Sequence, residues 1–147
     1  MRNIKYLVVH CTAGSQKQVI SDLKKHWKSL GWKNNGYHYV VDPSGKIHHI
    51  TPEENIANGV GGYNKQSIHI SYIGGIDNKG EAVDNRTDDQ KMGLVSILED
   101  LKRKYPKAKI LGHRDFSPDT DRDGIVEFHE YIKQCPCFNA IEEYKNI

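Results

Sequence analysis

Hydrophobic residues along the chain form two kinds of pattern, one typical of buried strands and one typical of amphipathic helices. Short β-branched or alternating runs predict strands at 4–10, 37–41, 46–50, 67–73 and 110–113. Apolar residues at helical spacing predict helices over 18–30 and 87–105. Less regular patterns predict a short helix at 126–133 and a helical tail after residue 138.

Turn and capping residues mark the ends of these predicted elements. Thr87 and Gln90 match a capping box at the start of the longer helix, and Pro106 ends it. The segment 42–45 reads Asp-Pro-Ser-Gly between two β-prone runs, which predicts a hairpin turn. Because strands and helices interleave without a linker, the sequence predicts one α/β domain over 1–147, with a mixed central β-sheet flanked by helices.

Length and charge exclude several classes of protein. The chain has 147 residues, with 21 Lys and Arg against 19 Asp and Glu and a formal net charge of +2. Such a near balance argues against nucleic-acid binding by bulk charge, and every apolar run is too short to span a bilayer. We therefore expect no nucleic-acid partner and no membrane span, and we expect the domain to act as a monomer.

The start of the chain and its cysteines bear on the cellular compartment. Residues 1–5 lead directly into a strand-like run without an apolar signal segment, so we expect synthesis in the cytoplasm without a signal peptide. Three cysteines are an odd number and too few for a disulfide framework, so they fit better a reducing compartment or a metal site. Eight histidines add further candidate ligands.

Three candidate metal ligands, His10, His113 and Cys135, stand at predicted strand ends or in a proline-containing loop. A rigid scaffold presents functional side chains at such places. Two imidazoles and one thiolate suit zinc, with a fourth coordination position open for water. Spacing alone is weak support, because a single histidine at a strand end is more often structural. Cys137 also competes with Cys135 as the thiolate ligand.

Short motifs spread along most of the chain give these ligands a context. In chain order they are Val8-Val9-His10-Cys11-Thr12-Ala13, Leu30-Gly31-Trp32, Gly36-Tyr37-His38-Tyr39, Gly62-Tyr63-Asn64, Ser67-Ile68, Gly74-Gly75-Ile76-Asp77, Gly112-His113-Arg114 and Lys133-Gln134-Cys135-Pro136. In order and spacing the chain resembles the type 2 N-acetylmuramoyl-L-alanine amidases, which are bacteriophage lysozyme-type amidases related to animal peptidoglycan recognition proteins. The resemblance implies a mixed sheet flanked by helices, with a zinc cleft on its surface.

The resemblance also implies residue roles and an activity. It assigns zinc to His10, His113 and Cys135, places Tyr37 beside the zinc-bound water, and matches Lys133 to the lysine that aids the transition state. The implied activity is hydrolysis of the amide bond between N-acetylmuramic acid and the first L-alanine of the peptidoglycan stem peptide. Zinc would polarise the carbonyl and acidify its bound water, while the lysine and the tyrosine would stabilise the oxyanion.

Around the ligand set, the resemblance is less complete. Family members often carry a histidine in the loop before the Gly-Tyr-Asn motif, where this chain has Asn-Gly-Val-Gly at 58–61. Trp32 and Asn58 are the candidate substrate-binding residues, and the alternative for Trp32 is a core tryptophan at a helix end. Of the two nearby cysteines, Cys135 is favoured over Cys137 because it precedes the proline, as in the family.

A second function is compatible with the same resemblance. Some relatives recognise peptidoglycan without cutting it, typically after losing the cysteine ligand, so the alternative is a binding module without catalysis. Because Cys135, Tyr37 and Lys133 are all present, we expect an enzyme. Its place of action would be the bacterial cell wall, and a phage or prophage endolysin would fit a chain without a signal peptide.

An acidic segment at about 115–130 is longer than in the phage relatives and is interpreted as an insertion. Its residues follow the spacing of an EF-hand calcium loop, with Ca²⁺ ligands expected from Asp119, Asp121, Asp123, the Ile125 carbonyl and Glu130. Pro118 excludes an entering helix, so only the loop is predicted. A solvated acidic turn without an ion is the alternative interpretation.

Overall fold

The computed structural model describes residues 2–147 and contains one five-stranded mixed β-sheet. The strands are β1 (Tyr6–Cys11), β2 (Tyr39–Val41), β3 (Ile47–His49), β4 (Ser67–Tyr72) and β5 (Lys109–Gly112). Their order across the sheet is β3-β2-β4-β1-β5. The β2–β3 pair is antiparallel and the other neighbours are parallel. The predicted α/β fold with a mixed central sheet is therefore confirmed.

Three α-helices, α1 (Ile20–Ser29), α2 (Asp88–Lys104) and α3 (Ala140–Glu143), accompany the sheet. The apolar side of α2 packs on one face of the sheet, in a core that includes Leu7, Val9, Cys11, Ile68, Ile70, Leu94, Leu98 and Leu101. On the other face, Leu23 and Trp27 of α1 pack with Val40 and Ile73. In the described part of the chain, every helix falls short of the length or the apolar character that crossing a bilayer requires.

Strand register decides which side chains share a face. Residues that pair across a sheet point to the same side, and successive residues of a strand alternate between the two sides. Val8 pairs with His69 and His10 pairs with Ser71, so these four side chains lie on the α1 face. Cys11 lies on the opposite face in the α2 core, as the alternation predicts. The α1 face of β1 and β4 thus carries buried histidines.

The start of α2 follows its sequence signal. Thr87 Oγ1 accepts a hydrogen bond from the Gln90 N–H over 3.0 Å, and Gln90 Oε1 accepts one from the Thr87 N–H over 3.0 Å. Gln90 Nε2 also donates to the carbonyls of Val41 and Ile73, at 3.2 and 2.9 Å. The capping box is confirmed, and the same side chain ties the helix to the ends of β2 and β4.

The C-terminal third departs from the predicted elements. The helix predicted at 126–133 is a single 3₁₀ turn at Phe128–Glu130. Tyr131 is extended, and the Ile132 N–H donates to Ser117 Oγ over 3.0 Å instead of to the Phe128 carbonyl, so the turn does not extend into a helix. His113 begins a 3₁₀ turn after β5 rather than ending that strand, and the helical tail is the one-turn α3.

Candidate metal centre

His10, His113 and Cys135 converge at one end of the parallel strands, although they are far apart in the sequence. One nitrogen of each imidazole and the Cys135 sulfur lie within 4.8 Å of one another. The register pairs Val9 with Gly112, so His113 follows β5 directly beside His10. The two imidazole centroids are 4.9 Å apart, and His10 Nδ1 lies 3.9 Å from Cys135 Sγ. The structure thus brings together the three side chains that the sequence singled out as ligands.

Hydrogen bonds hold the loop that carries Cys135 against β1 and β5. The Cys11 N–H donates to Cys135 Sγ over 3.1 Å, and the Arg114 N–H donates to the Cys135 carbonyl over 2.9 Å. The Tyr72 hydroxyl donates to the Pro136 carbonyl over 2.7 Å. A backbone N–H directed at the sulfur is a contact suited to a metal-binding thiolate.

Cys137 lies in a different environment from Cys135. Its sulfur is 3.9 Å from the Cys11 sulfur, which faces the α2 core, and 3.5 Å from the Gly75 carbonyl oxygen. Contact with Cys11, followed by burial, raises the pKa of Cys137, so this side chain remains a thiol. Of the two cysteines, the structure places Cys135 with the histidines.

Two polar side chains behind His10, those of His69 and Asn64, form a second layer. The sequence analysis assigned no role to either residue. His10 Nε2 lies 2.9 Å from His69 Nδ1, and His69 Nε2 lies 2.9 Å from Asn64 Oδ1. Polar residues at every second position of β4 indicate a polar stripe, which is the one sequence signal that could have found His69. The stripe alone does not say what it faces, because that depends on the pairing of β4 with β1.

The loop before the Gly-Tyr-Asn motif is shaped around this second layer. Where the resemblance predicts a histidine, the chain has Gly59 and its neighbours. A Cβ at Gly59 would lie 2.3 Å from His69 Nδ1. The space next to this loop is therefore occupied by a histidine from β4.

The imidazoles of the cluster are neutral at pH 7. Burial lowers the pKa of His10 well below its usual value, and the neighbouring His69 and His113 add to the effect. Burial, followed by the positive charge of Lys133, lowers the pKa of His113 to about 4. Zinc binds neutral imidazole and thiolate sulfur. Two neutral imidazoles and one cysteine sulfur therefore fit a zinc ion.

Tyr37 and Lys133 lie beside the three candidate ligands. The Tyr37 ring centroid is 5.1 Å from that of His10, and its hydroxyl donates to the Cys11 carbonyl over 3.2 Å. Burial, followed by the charge of the nearby Cys135, raises the pKa of Tyr37, so the phenol keeps its proton. Lys133 is exposed and borders a cleft of about 100 Å³ together with His113. A neutral hydrogen-bond donor, Tyr37, and a cation, Lys133, therefore lie next to the three candidate ligands.

The two candidate substrate-binding residues, Trp32 and Asn58, are not among the residues that line this cleft. The residues that line the cleft are Val60, His113, Phe116, Ser117, Ile132 and Lys133. Trp32 is exposed just after α1, and its N–H donates to the Trp27 carbonyl over 3.2 Å. The Asn58 N–H donates to the Asn35 carbonyl over 2.9 Å. Roles for Trp32 and Asn58 in substrate binding stay predictions.

The acidic segment brings several of its oxygens together. One carboxylate oxygen from each of Asp119, Asp121 and Asp123 lies within 4.8 Å of the others. The Gly124 N–H donates to Asp119 Oδ2 over 2.8 Å. Glu130 accepts backbone N–H groups of Thr120, Asp121 and Glu127, at 2.8 to 3.2 Å. Ile125 follows Gly124 with an exposed side chain. Calcium binding by this segment stays a prediction.

Comparison with known proteins points to one family. The family model described as N-acetylmuramoyl-L-alanine amidase matches residues 1–136. An endolysin of Enterobacteria phage K11 is 30% identical to this chain over 133 residues, which are 89% of this chain and 79% of that protein.

Two solved structures share the fold. The Ph2119 endolysin from Thermus scotoductus MAT2119 bacteriophage Ph2119 superposes with a TM-score of 0.70 and 26% identity, covering 92% of this chain and 79% of that chain. PGRP-SA of Apis mellifera has a TM-score of 0.72 at 18% identity, covering 99% and 84%, which shows a shared fold alone. Since the family match spans nearly the whole chain, the protein belongs to the N-acetylmuramoyl-L-alanine amidase family.

Proposed function

We propose that this chain is a zinc-dependent peptidoglycan amidase that acts on the bacterial cell wall. The bond cleaved is the amide between N-acetylmuramic acid and the first L-alanine of the stem peptide. Family membership and the phage endolysin relative support amidase chemistry on this substrate. The observation that carries the proposal is the convergence of His10, His113 and Cys135 beside Tyr37 and Lys133.

In this proposal His10, His113 and Cys135 hold one zinc ion. When bound, zinc supplies Lewis acidity, which polarises a carbonyl and lowers the pKa of water. The chain contributes imidazoles whose lowered pKa keeps a lone pair available at pH 7. It also contributes the Cys11 N–H, which stabilises negative charge on the Cys135 sulfur.

Lys133 and Tyr37 act on the substrate. The Lys133 ammonium borders the cleft beside His113, where it donates to the oxygen that becomes negative as the scissile carbonyl turns tetrahedral. Tyr37 keeps its proton, so its hydroxyl can donate a hydrogen bond to the same oxygen after breaking its bond to the Cys11 carbonyl. The departing L-alanine nitrogen needs a proton, and the Lys133 ammonium can donate one.

Mass spectrometry of the products from purified peptidoglycan tests the proposed bond. We expect new free L-alanine amino termini and intact glycan strands. New reducing sugar ends would contradict the proposal, because they would indicate glycosidase chemistry by paired carboxylates.

A wall-binding assay separates catalysis from binding alone. An amidase releases soluble stem peptides from the walls, whereas a binding module sediments with them and releases none. The matched control is Cys135→Ala, which removes one ligand without removing the cleft. Walls that bind the wild type without any release would favour the non-catalytic alternative.

A further inference from the structure

His69 and Asn64 form a hydrogen-bonded chain that ends at His10. His10 Nε2 lies 2.9 Å from His69 Nδ1, and His69 Nε2 lies 2.9 Å from Asn64 Oδ1. His69 is 0% exposed and His10 is 1% exposed, so water does not compete for the bond between them. The orientation of the His10 ring therefore depends on these protein partners.

A backbone donor at the far end sets the direction of every bond in this chain. The Val60 N–H donates to Asn64 Oδ1 over 2.8 Å, which fixes the oxygen of the Asn64 amide at this corner. The same oxygen accepts from His69 Nε2, which must carry a hydrogen. The neutral His69 ring then has its lone pair at Nδ1, so His10 Nε2 must carry a hydrogen and donate to it.

This assignment leaves the lone pair of the His10 ring on Nδ1. Nδ1 is also the atom that faces Cys135 Sγ, at 3.9 Å. With its hydrogen on Nδ1 instead, the ring would offer no lone pair to a metal ion between it and the sulfur. Outer hydrogen-bond partners commonly fix the tautomer and orientation of ligand histidines.

We propose that His69 and Asn64 are positioning residues, which hold His10 in the Nε2–H tautomer with Nδ1 directed at the metal. The inference rests on the proposed zinc-dependent function and adds to it two residues that do not touch substrate or metal. It makes β4, and not only β1 and β5, part of the metal centre.

The surroundings of His69 leave its ring little freedom. A Cβ at Gly59 would lie 2.3 Å from His69 Nδ1, so glycine at this position leaves room for the ring. The ring also stacks with His38, with centroids 5.9 Å apart and planes at 15°. His38 Nδ1 accepts the His69 N–H over 3.0 Å. The ring is thus held in the place from which it meets His10.

Zinc affinity of the full chain, measured by competition with a chromophoric chelator, tests the positioning role. His69→Leu removes both side-chain hydrogen bonds, and we expect zinc to bind roughly 10- to 100-fold more weakly. His69→Gln restores one acceptor and one donor, so we expect it to recover most of the affinity. In the Co²⁺-loaded protein, His69→Leu should change the visible d–d bands while the thiolate charge-transfer band remains.

A control for general destabilisation is Leu98→Ala, since Leu98 is buried in the α2 core on the face of the sheet opposite His69. We expect it to lower the melting temperature without weakening zinc binding. Asn64 is half-buried, so Asn64→Ala provides a second variant if His69→Leu does not fold, and it should also weaken zinc binding.

The outcomes separate this inference from the proposed function. Equal zinc affinity of the wild type and a folded His69→Leu or Asn64→Ala variant overturns the positioning role alone. Equal weakening by Leu98→Ala also overturns it, because the effect would then be general destabilisation. A wild type that binds no zinc overturns the proposed function together with this inference.

Discussion

The two groups of candidate metal ligands in this chain are assembled in opposite ways. His10, His113 and Cys135 come from three separate segments, which meet because β1 and β5 pair in parallel and the Cys135 loop bonds to both of their ends. The carboxylates of the acidic segment come from one continuous stretch, 119–130, and meet through hydrogen bonds within that stretch. One group lies against the sheet, with His10 buried and His113 and Cys135 half-buried, and the other lies in a mostly exposed turn.

This difference has consequences for what each group can do without an ion. A shift of His10 would disturb β1 and the buried layer behind it, so the first group is held in place by the packing of the sheet. In residues 2–147, the hydrogen bonds that oppose the repulsion between Asp119, Asp121 and Asp123 are local to the segment, as is the contact between His129 and Asp121. Substitutions in the first group should therefore act on chemistry, and substitutions in the second on stability.

The largest expected effect is the loss of a ligand from the group formed by His10, His113 and Cys135. Cys135→Ala should abolish hydrolysis and most zinc uptake, because a thiolate of the donor set is removed. Elemental analysis and release of stem peptides measure both effects. Cys137→Ala is the matched control and should spare both, since its sulfur faces Cys11 and Gly75. The reverse pattern would show that the ligand assignment is wrong.

Loss of the groups that act on substrate should come next. Lys133→Ala and Tyr37→Phe should each lower turnover roughly a hundredfold or more, because each removes a donor to the developing oxyanion. Zinc should stay bound in both variants, as neither side chain belongs to the donor set. Steady-state kinetics with parallel metal analysis separates the two roles. Zinc loss in either variant would give that residue a structural role.

A smaller effect is expected from the acidic segment if it binds Ca²⁺. At a free Ca²⁺ concentration of about 100 times the Kd, binding would raise the free energy of unfolding by about 2.7 kcal/mol. This corresponds to a rise of about 5–10 °C in melting temperature. Asp121→Ala should remove this gain, whereas Asp100→Ala, on the exposed side of α2, should keep it. A melting temperature that neither calcium nor EGTA changes would leave the segment an ordinary turn.

The smallest expected effect is the contribution of the Glu130 hydrogen bonds to stability, measured without any bound ion. The Glu127 N–H, followed by those of Asp121 and Thr120, lowers the pKa of Glu130 to about 2. A lowered pKa means that the carboxylate stabilises the fold above its unfolded pKa, near pH 4.5, and that this stability is lost as the pH falls toward 2. In EGTA, Glu130→Gln should therefore melt slightly below the wild type at pH 7.

The difference between Glu130→Gln and the wild type should shrink as the pH is lowered from 4.5 to 2. Asp121 and His129 face Glu130 and are themselves titratable. The wild type and Glu130→Gln should therefore be melted side by side at each pH and at the same ionic strength. Glu127→Gln is the control, because it leaves the Glu127 N–H in place. A constant difference from pH 7 to pH 2 would rule out Glu130 ionisation as the cause.

Much of the fold was predictable because its signals are local. The capping box of Thr87 and Gln90 and the turn at 42–45 depend on residues a few positions apart, and both occur as predicted. The helix predicted at 126–133 was wrong, because the Ile132 N–H donates to the Ser117 side chain instead of continuing the helix. Periodicity does not reveal such competition between side chain and backbone.

The candidate ligands could be named from the sequence through the motifs around His10, His113 and Cys135, whereas their geometry could not. Nothing in the residues near His69 tells which strand β4 pairs with, or in which register, and a shift of one position would turn His69 into the opposite core. The parallel pairing of β4 with β1 alone decided that His69 meets His10. The sequence determined which chemical groups are available, and the long-range pairing of strands decided which of them touch.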